Sequence, residues 1–517
     1  MSDEYKNSDC YIIRGGHVLC FDDISCRQDT LGVGQGSYVT TSKIAGTERC
    51  DGAVSADVVL AGAKIAAIVV KDPTVGGGES AHHQLDYLSS EPAKFSEGGN
   101  SVTSSSEGLV SNPPQTHTHL SAHGPNSYPL AFSSPTPFNG KVFDASGCYV
   151  VPGLIDCHVH AYQYATPLGI DVDEFCLRRG VTTAVDAGSA GAATFAGLRK
   201  YVAEQRITRV LSFIHIAAQG LAASGCAGGA PGGECDSLNV VDVDGCVSCI
   251  RKNRDMVVGV KVRLSSTVAD DGRNEEEIYR RALDASNQVA VPLMVHHTIS
   301  SIPVVGSDNK LSCPGDLRCG DIYTHTYHGL PSTIIDEKSG NIHSTLWDAR
   351  KRGVFFDVGH GEGSFTWTVA EICAQNGFWP DIISTDLHSG NTDGPAYDLV
   401  TVMSKFLHLG MSIADIVKAV TETPARAIQK SEDIGKLAIG READVTVLRI
   451  EECDVTMEDS YGQQRRIRQR IIPVAVFRAG KLYEVRTPDV WPNIEKAKLL
   501  SAGWNELVIK DKEKPHF

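Results

Sequence analysis

No stretch of this sequence reads as a membrane-spanning helix: nothing in its 517 residues approaches the roughly 18 consecutive apolar positions such a helix needs. Positive charge is also in short supply. Lys and Arg number 48 against 63 Asp and Glu, and the formal net charge of −15 argues against nucleic acid or an anionic membrane as the main partner. The first residues, Met1-Ser2-Asp3-Glu4-Tyr5-Lys6, lack the basic and apolar blocks of a signal peptide, so none is expected. A disulfide framework is missing as well. The 15 cysteines are odd in number and scattered, and Cys148, Cys157, Cys176 and Cys373 sit in apolar segments, which suits reduced thiols in a cytoplasmic protein. Cys246-x-x-Cys249 has no second pair at zinc-site spacing and reads as structurally neutral. With 42% hydrophobic and 21% charged residues, the composition is that of an ordinary soluble globular protein.

What is present is one long repeated pattern between two β-like ends. Residues 151–435 repeat a short apolar run, a loop and a helical stretch, and eight runs start at Val151, Val181, Val210, Val257, Val291, Asp321, Val354 and Asp381. Near-continuous apolar strands alternating with helices indicate a parallel sheet covered on both faces. Eight units over this length indicate an α/β fold of the TIM (β/α)8 barrel type. No Gly-x-Gly-x-x-Gly turn opens the first unit, which counts against an open dinucleotide-binding sheet. Residues 8–150 and 436–490 carry short β-like runs and are expected to build one small β-sandwich from both chain ends. Within the first of these, the Ser-, Gly-, Pro- and Asn-rich residues 72–140 read as a disordered insertion, and 491–517 as a tail.

Strand ends carry the chemistry. The run Val151-Pro152-Gly153-Leu154-Ile155-Asp156-Cys157-His158-Val159-His160 ends in two histidines that share one face of a strand and can aim at one point. In a TIM barrel the C-terminal ends of the strands converge on one site. Strand five brings His296 there, strand six His325 and strand eight Asp386. Four histidines and a carboxylate are a full ligand set for one or two divalent cations. A second His-x-His, His117-Thr118-His119, lies in the insertion without apolar flanks or a rigid element to aim its rings, and is set aside.

Strand four adds a lysine. Alternation puts Val258, Val260, Val262 and Leu264 on one face and Gly259, Lys261 and Arg263 on the other. An inward lysine is costly unless it is paired or neutralised. As an ammonium it has no lone pair to offer a metal. Deprotonated, it can add carbon dioxide to give a carbamate, whose two oxygens can bridge two cations. An ion pair with Asp186 or Asp357 is the plainer alternative; beside five metal-type ligands, the carbamate is favoured.

These segments resemble the amidohydrolase superfamily, over essentially the whole chain outside residues 24–52 and 72–140. The resemblance rests on Pro152-Gly153-Leu154-Ile155-Asp156-x-His158-x-His160 and on Gly440-x-x-Ala443-Asp444. A closer likeness, to the dihydroorotase-like amidohydrolase/deacetylase branch, rests on Gly180–Ser189, Gly259–Leu264, Pro292–His296, Gly320–His325, Asp357–Gly361 and Ser384–His388. It implies a centre of two divalent metal ions, zinc in the first instance. His158, His160 and Asp386 would bind the more buried ion, His296 and His325 the other, and carboxylated Lys261 would bridge them. The implied activity is hydrolysis of a C–N amide or related ester bond in a small N-acyl substrate, such as an N-acetyl amino acid. A hydroxide shared by the two ions would attack, and Asp386 would be the general base.

Cyclic-amide hydrolysis, as in dihydroorotases and hydantoinases, is the alternative. Dihydroorotases carry an arginine two residues after the second histidine, where this chain has Tyr162. A non-catalytic scaffold ranks last, because all six ligand positions are kept. Arg263 is expected either to hold a substrate carboxylate or to form a structural ion pair. His360 and His388 lie on the catalytic rim, as substrate contacts or loop anchors, while His215, His297 and His408 are expected to be structural. Self-association stays open.

Overall fold

The computed structural model describes residues 10–19, 53–70, 140–222, 233–307 and 310–486. The expected insertion with its His117 and His119, the polar stretch 24–52 and the tail lie outside these residues.

Five strands open the chain: β1 (Cys10–Val18), β2 (Val54–Ala61), β3 (Lys64–Val70), β4 (Lys141–Asp144) and β5 (Tyr149–Pro152). Seven follow: β6 (Leu154–Val159), β7 (Val181–Gly191), β8 (Arg209–His215), β9 (Val257–Leu264), β10 (Leu293–His297), β11 (Ile322–Thr324) and β12 (Phe355–Phe356). Three close the described chain: β13 (Val445–Glu458), β14 (Gln464–Arg478) and β15 (Lys481–Tyr483). They sort into two sheets. β6 to β12 form a parallel sheet in chain order, and the other strands form one sheet in the order β15-β14-β13-β5-β1-β2-β3, with β4 also on β1. The two chain ends meet where β5 pairs antiparallel with β13, Pro152 opposite Val445 and Val150 opposite Val447.

The expected first barrel strand is therefore divided. Tyr149–Pro152 belongs to the mixed sheet, and the parallel sheet begins at Leu154. Gly153, between them, has no room for a side chain: a Cβ there would lie 2.2 Å from Thr182 Oγ1. The junction is tied by ions as well. Asp444 accepts from Arg209 Nη1 (2.7 Å), Arg478 Nη1 (3.1 Å) and the Ala479 amide (2.8 Å).

Every residue of β6 and β7 is buried, as expected for strands covered on both faces. One face of the parallel sheet gathers Ile155, Cys157, Val185, Ala187, Leu211, Phe213, Val258, Met294 and Ile322 into a core of their own. Val258 sits here while Val260, Val262 and Leu264 pack on the other side, so the alternation expected for β9 shifts near its start. Pairing between β8 and β9 is irregular at Ser212/Phe213. On the outer side, the helix Glu275–Gln288 buries Ile278, Tyr279, Ala282 and Ala285 and starts with three glutamates, whose charge suits a helix N-terminus. The eighth apolar run forms no regular strand. Its ends nonetheless bridge both edges of the sheet: Ile382 pairs parallel with Asp357, next to β12, and Leu387 with Val159 of β6. Asp386, with φ of 49°, turns this segment out of extended geometry. Among the described residues no helix is long and apolar enough to cross a membrane, and the eleven cysteines are free thiols.

Candidate metal centre

The C-terminal ends of β6, β9, β10 and β11 and the segment after Ile382 bring their polar residues together. His158, His325 and Asp386 each place a ligand atom within 4.8 Å of the others. Asp386 Oδ1 stands 3.2 Å from His158 Nε2 and 3.0 Å from His160 Nε2. Lys261 Nζ lies 3.2 Å from His158 Nε2 and 3.7 Å from Met294 Sδ. No carboxylate among the described residues forms an ion pair with Lys261, so the Lys–Asp pairing weighed from the sequence is not formed. Burial pushes the lysine down to about 8, the attraction of Asp386 and Asp357 notwithstanding.

Neighbouring groups fix which ring nitrogen faces the cluster. Thr324 Oγ1 donates to Asp357 Oδ2 at 2.6 Å, so it accepts from His158 Nδ1 at 3.0 Å. Gly359 O can only accept, so His325 Nδ1, 2.7 Å away, carries a proton. The His325 ring thereby presents an Nε2 lone pair to the cluster, the form a metal takes. Burial opposes a charge on His158, but Asp386 and Asp357 outweigh it and raise the His158 pKa above the ordinary imidazole value. His160 Nδ1 lies 2.9 Å from Ser189 Oγ. Burial holds His296 and His325 well below the ordinary imidazole range. His296 stacks edge-on against His325 at 4.2 Å between ring centres, but its Nε2 is turned to Thr298 Oγ1 at 2.7 Å. The bond at Nε2 leaves its Nδ1 as the nitrogen available to the cluster.

Backbone strain collects here too. His325 and Asp386 both hold positive φ, 63° and 49°, which costs a non-glycine residue on the order of 1 kcal/mol. Two glycines make room. A Cβ at Gly188 (φ 82°) would lie 2.7 Å from Lys261 Cβ, and one at Gly361 (φ 60°) 2.8 Å from Asp386 Oδ2. Asp156 accepts from the Thr385 hydroxyl (2.6 Å) and amide (3.1 Å), which pins the residue before Asp386.

The other sequence candidates have partners elsewhere. Arg263 Nη1 donates to Glu234 Oε1 at 2.8 Å, and His215 Nε2 lies 3.0 Å from Oε2 of the same buried carboxylate. Burial alone would raise the Glu234 pKa, but the charge of Arg263 and the bond with His215 outweigh it and hold it at about 2. Of the two roles expected for Arg263, the ion pair is thus the one seen. The Tyr162 hydroxyl donates to Thr194 O at 3.1 Å. His388, buried, has its ring 6.3 Å from that of His160 and its Nδ1 accepting from the Gly390 amide. Both nitrogens of His360 are engaged, with Lys405 Nζ (2.8 Å) and Gly361 O (2.9 Å). His297 meets its structural expectation, bonded to Tyr323 Oη (3.0 Å) and Ile302 O (2.8 Å).

Sequence reasoning missed Thr324, Ser384, Glu234 and Lys405. Ser384 Oγ donates to Asp357 Oδ1 at 2.6 Å, completing the support behind His158. Only Lys405 left a signal: it stands in the largely apolar helix Leu399–His408, which is buried throughout from Leu399 to Phe406.

A family model described as "Amidohydrolase family" matches residues 366–477. A protein of Brucella anthropi named "Deacetylase" is 33% identical over 338 residues, 65% of this chain and 80% of that protein. One of the same name from Enterococcus faecalis is 34% identical over 340 residues, 65% of this chain and 87% of that protein. A crystal structure of a dihydroorotase superposes with a TM-score of 0.65 at 25% identity, covering 93% of this chain and 99% of that one.

Proposed function

Because the chain belongs to the amidohydrolase family, we propose that it is a metal-dependent hydrolase of non-peptide carbon–nitrogen bonds, acting as a deacetylase on a small N-acyl compound such as an N-acetyl amino acid. The observation that carries this is the convergence of His158, His325 and Asp386, with Lys261 against them. In this reading the parallel sheet and segment 382–387 make a closed (β/α)8 barrel whose mouth is the site.

The donor set fits a pair of zinc-type cations: imidazoles, a carboxylate and a desolvated amine able to take up carbon dioxide. His158, His160 and Asp386 would hold one ion and His296 and His325 the other, with His296 offering Nδ1 while Thr298 holds its Nε2. Lys261, carboxylated, would give an oxygen to each. When bound, the ions would lower the pKa of water toward neutrality and polarise the acyl carbonyl. The chain's own work is proton transfer. Asp386 Oδ1 faces the histidines, leaving Oδ2, beside the bare Gly361, to take the attacking water's proton and return it to the leaving nitrogen.

Metal content, intact mass and a substrate panel test this. The expected result is zinc bound, a carbon dioxide adduct on Lys261 and turnover of an N-acetyl-D- or L-amino acid. Less than one equivalent of zinc with no adduct would remove the two-ion centre. The likeness to a dihydroorotase structure favours cyclic amides as the second reading. Turnover of dihydroorotate or hydantoins alone would transfer the assignment to it.

A further inference from the structure

Lys405 is a second buried lysine, and the chemistry above leaves it unused. It lies on the helix Leu399–His408 with no exposed surface. Three acceptors surround its Nζ: His360 Nε2 at 2.8 Å, Pro395 O at 2.9 Å and Glu458 O at 2.6 Å. An ammonium has three N–H donors and no lone pair, so donors and acceptors match one to one. Phe365 and Trp367 put ring faces 5.3 and 5.7 Å from the charge.

The tautomer of His360 follows. Its Nδ1 lies 2.9 Å from Gly361 O, which can only accept, so Nδ1 bears the proton. Nε2 then accepts from Lys405. The ring is stacked on Phe365 at 4.6 Å and has no nitrogen left for substrate. What it can do is hold a turn. Gly359 O accepts the proton of His325 Nδ1 at 2.7 Å. The amides of His360 and Gly361 donate to Ser384 O at 3.3 Å and Thr385 O at 2.9 Å, the two residues before Asp386, and only the missing side chain of Gly361 leaves room for Asp386 Oδ2. Residues 359–361 are thus the backbone on which both His325 and Asp386 lean.

We propose that Lys405 is a positioning residue for the hydrolysis: through His360 it fixes the 359–361 turn and so aims His325 and Asp386. Its kinetic consequence rests on the hydrolase reading above; its structural one does not. The same ammonium ties this turn to the end of β13 at Glu458 and to the loop at Pro395.

The test uses Lys405→Met, His360→Gln and the double variant of the full chain, with kcat, KM and thermal midpoint for each. Each single variant should lower kcat at least roughly tenfold with KM within about threefold, because misplacing a catalytic group by a fraction of an ångström is felt in the rate. The double variant should be no slower than the worse single one, since both break one connection. A Lys405→Met kcat within about twofold of wild type, or losses that multiply, would overturn the proposal. Should the variants not fold, long-range proton–nitrogen spectra of the histidine-labelled wild type decide it. The expected signature is His360 protonated at Nδ1 with Nε2 as acceptor; a proton on Nε2 overturns the link. That spectrum stands even for a chain that turns over none of the substrate panel, so the two readings fail separately.

Discussion

Two lysines are buried among the described residues, one at the end of the parallel strands and one behind it, and burial pushes each down to about 8. Their surroundings differ. Lys405 has an acceptor for each of its three protons. Lys261 has a histidine nitrogen and a thioether sulfur. A buried charge costs several kcal/mol unless its partners are complete. Lys405 meets that condition as an ammonium and is built to stay one. Lys261 does not, and is better served by losing its proton. What separates the two lysines is their set of partners; burial and a lowered pKa are common to both.

Exchanging each lysine for the apolar isostere separates these roles most sharply. Lys261→Met should lower turnover by about 10⁴-fold or more, because both ions would lose their shared ligand, while the thermal midpoint holds or rises. Retained turnover would break the comparison. Lys405→Met strands three buried acceptors, and at about 1 kcal/mol or more each it should lose roughly 3 kcal/mol of stability in urea unfolding. Equal destabilisation by the two substitutions would show that their pockets do not differ in the way described.

Glu234 is a buried charge of the satisfied kind and extends the comparison to acid. Its pKa is held at about 2, below the ordinary 4.5, by Arg263 and His215. A carboxyl depressed on folding stabilises above its unfolded pKa, and that contribution fades as pH falls from 4.5 through 2. A shift of this size corresponds to about 3 kcal/mol. Glu234→Gln should therefore unfold more readily than wild type at pH 7, and the gap should narrow below pH 4.5 and close only below about pH 2. A gap independent of pH would mean that the ion pair contributes nothing.

Much of the site was legible because strands repeat every two residues and barrel strands end together. His158, His160, Lys261, His325 and Asp386 were found from that geometry, and the structure brings them to one place. What periodicity could not give is the set of partners. Glu234 sits beside Cys235 in an irregular stretch, where a carboxylate reads as solvated; only the fold shows it buried between Arg263 and His215. Between substrate contact and loop anchor the sequence could not choose for His360, because its loop position is visible in sequence and the helix carrying Lys405 is not visibly its neighbour. The split of the first strand at Gly153 was hidden for a like reason: Tyr149–Pro152 and Leu154–Val159 are equally apolar, and only hydrogen bonding assigns them to different sheets.

Partner sets also explain why a residue behind the proposed ligands should matter. Thr324 Oγ1 receives the His158 Nδ1 proton and passes its own to Asp357, which a second hydroxyl, Ser384, holds from the other side. Thr324→Val keeps the shape of the side chain and removes the relay. His158 would then be free to place its proton on Nε2, the nitrogen that faces Asp386 and Lys261. Loss of such outer partners typically weakens metal affinity by about 10- to 100-fold. Zinc titration against a competing chelator should show that loss, with the ratio of zinc to chain at saturation unchanged. Unchanged affinity would mean that the tautomer of His158 is set by the ion alone, and that Asp357 belongs to the fold.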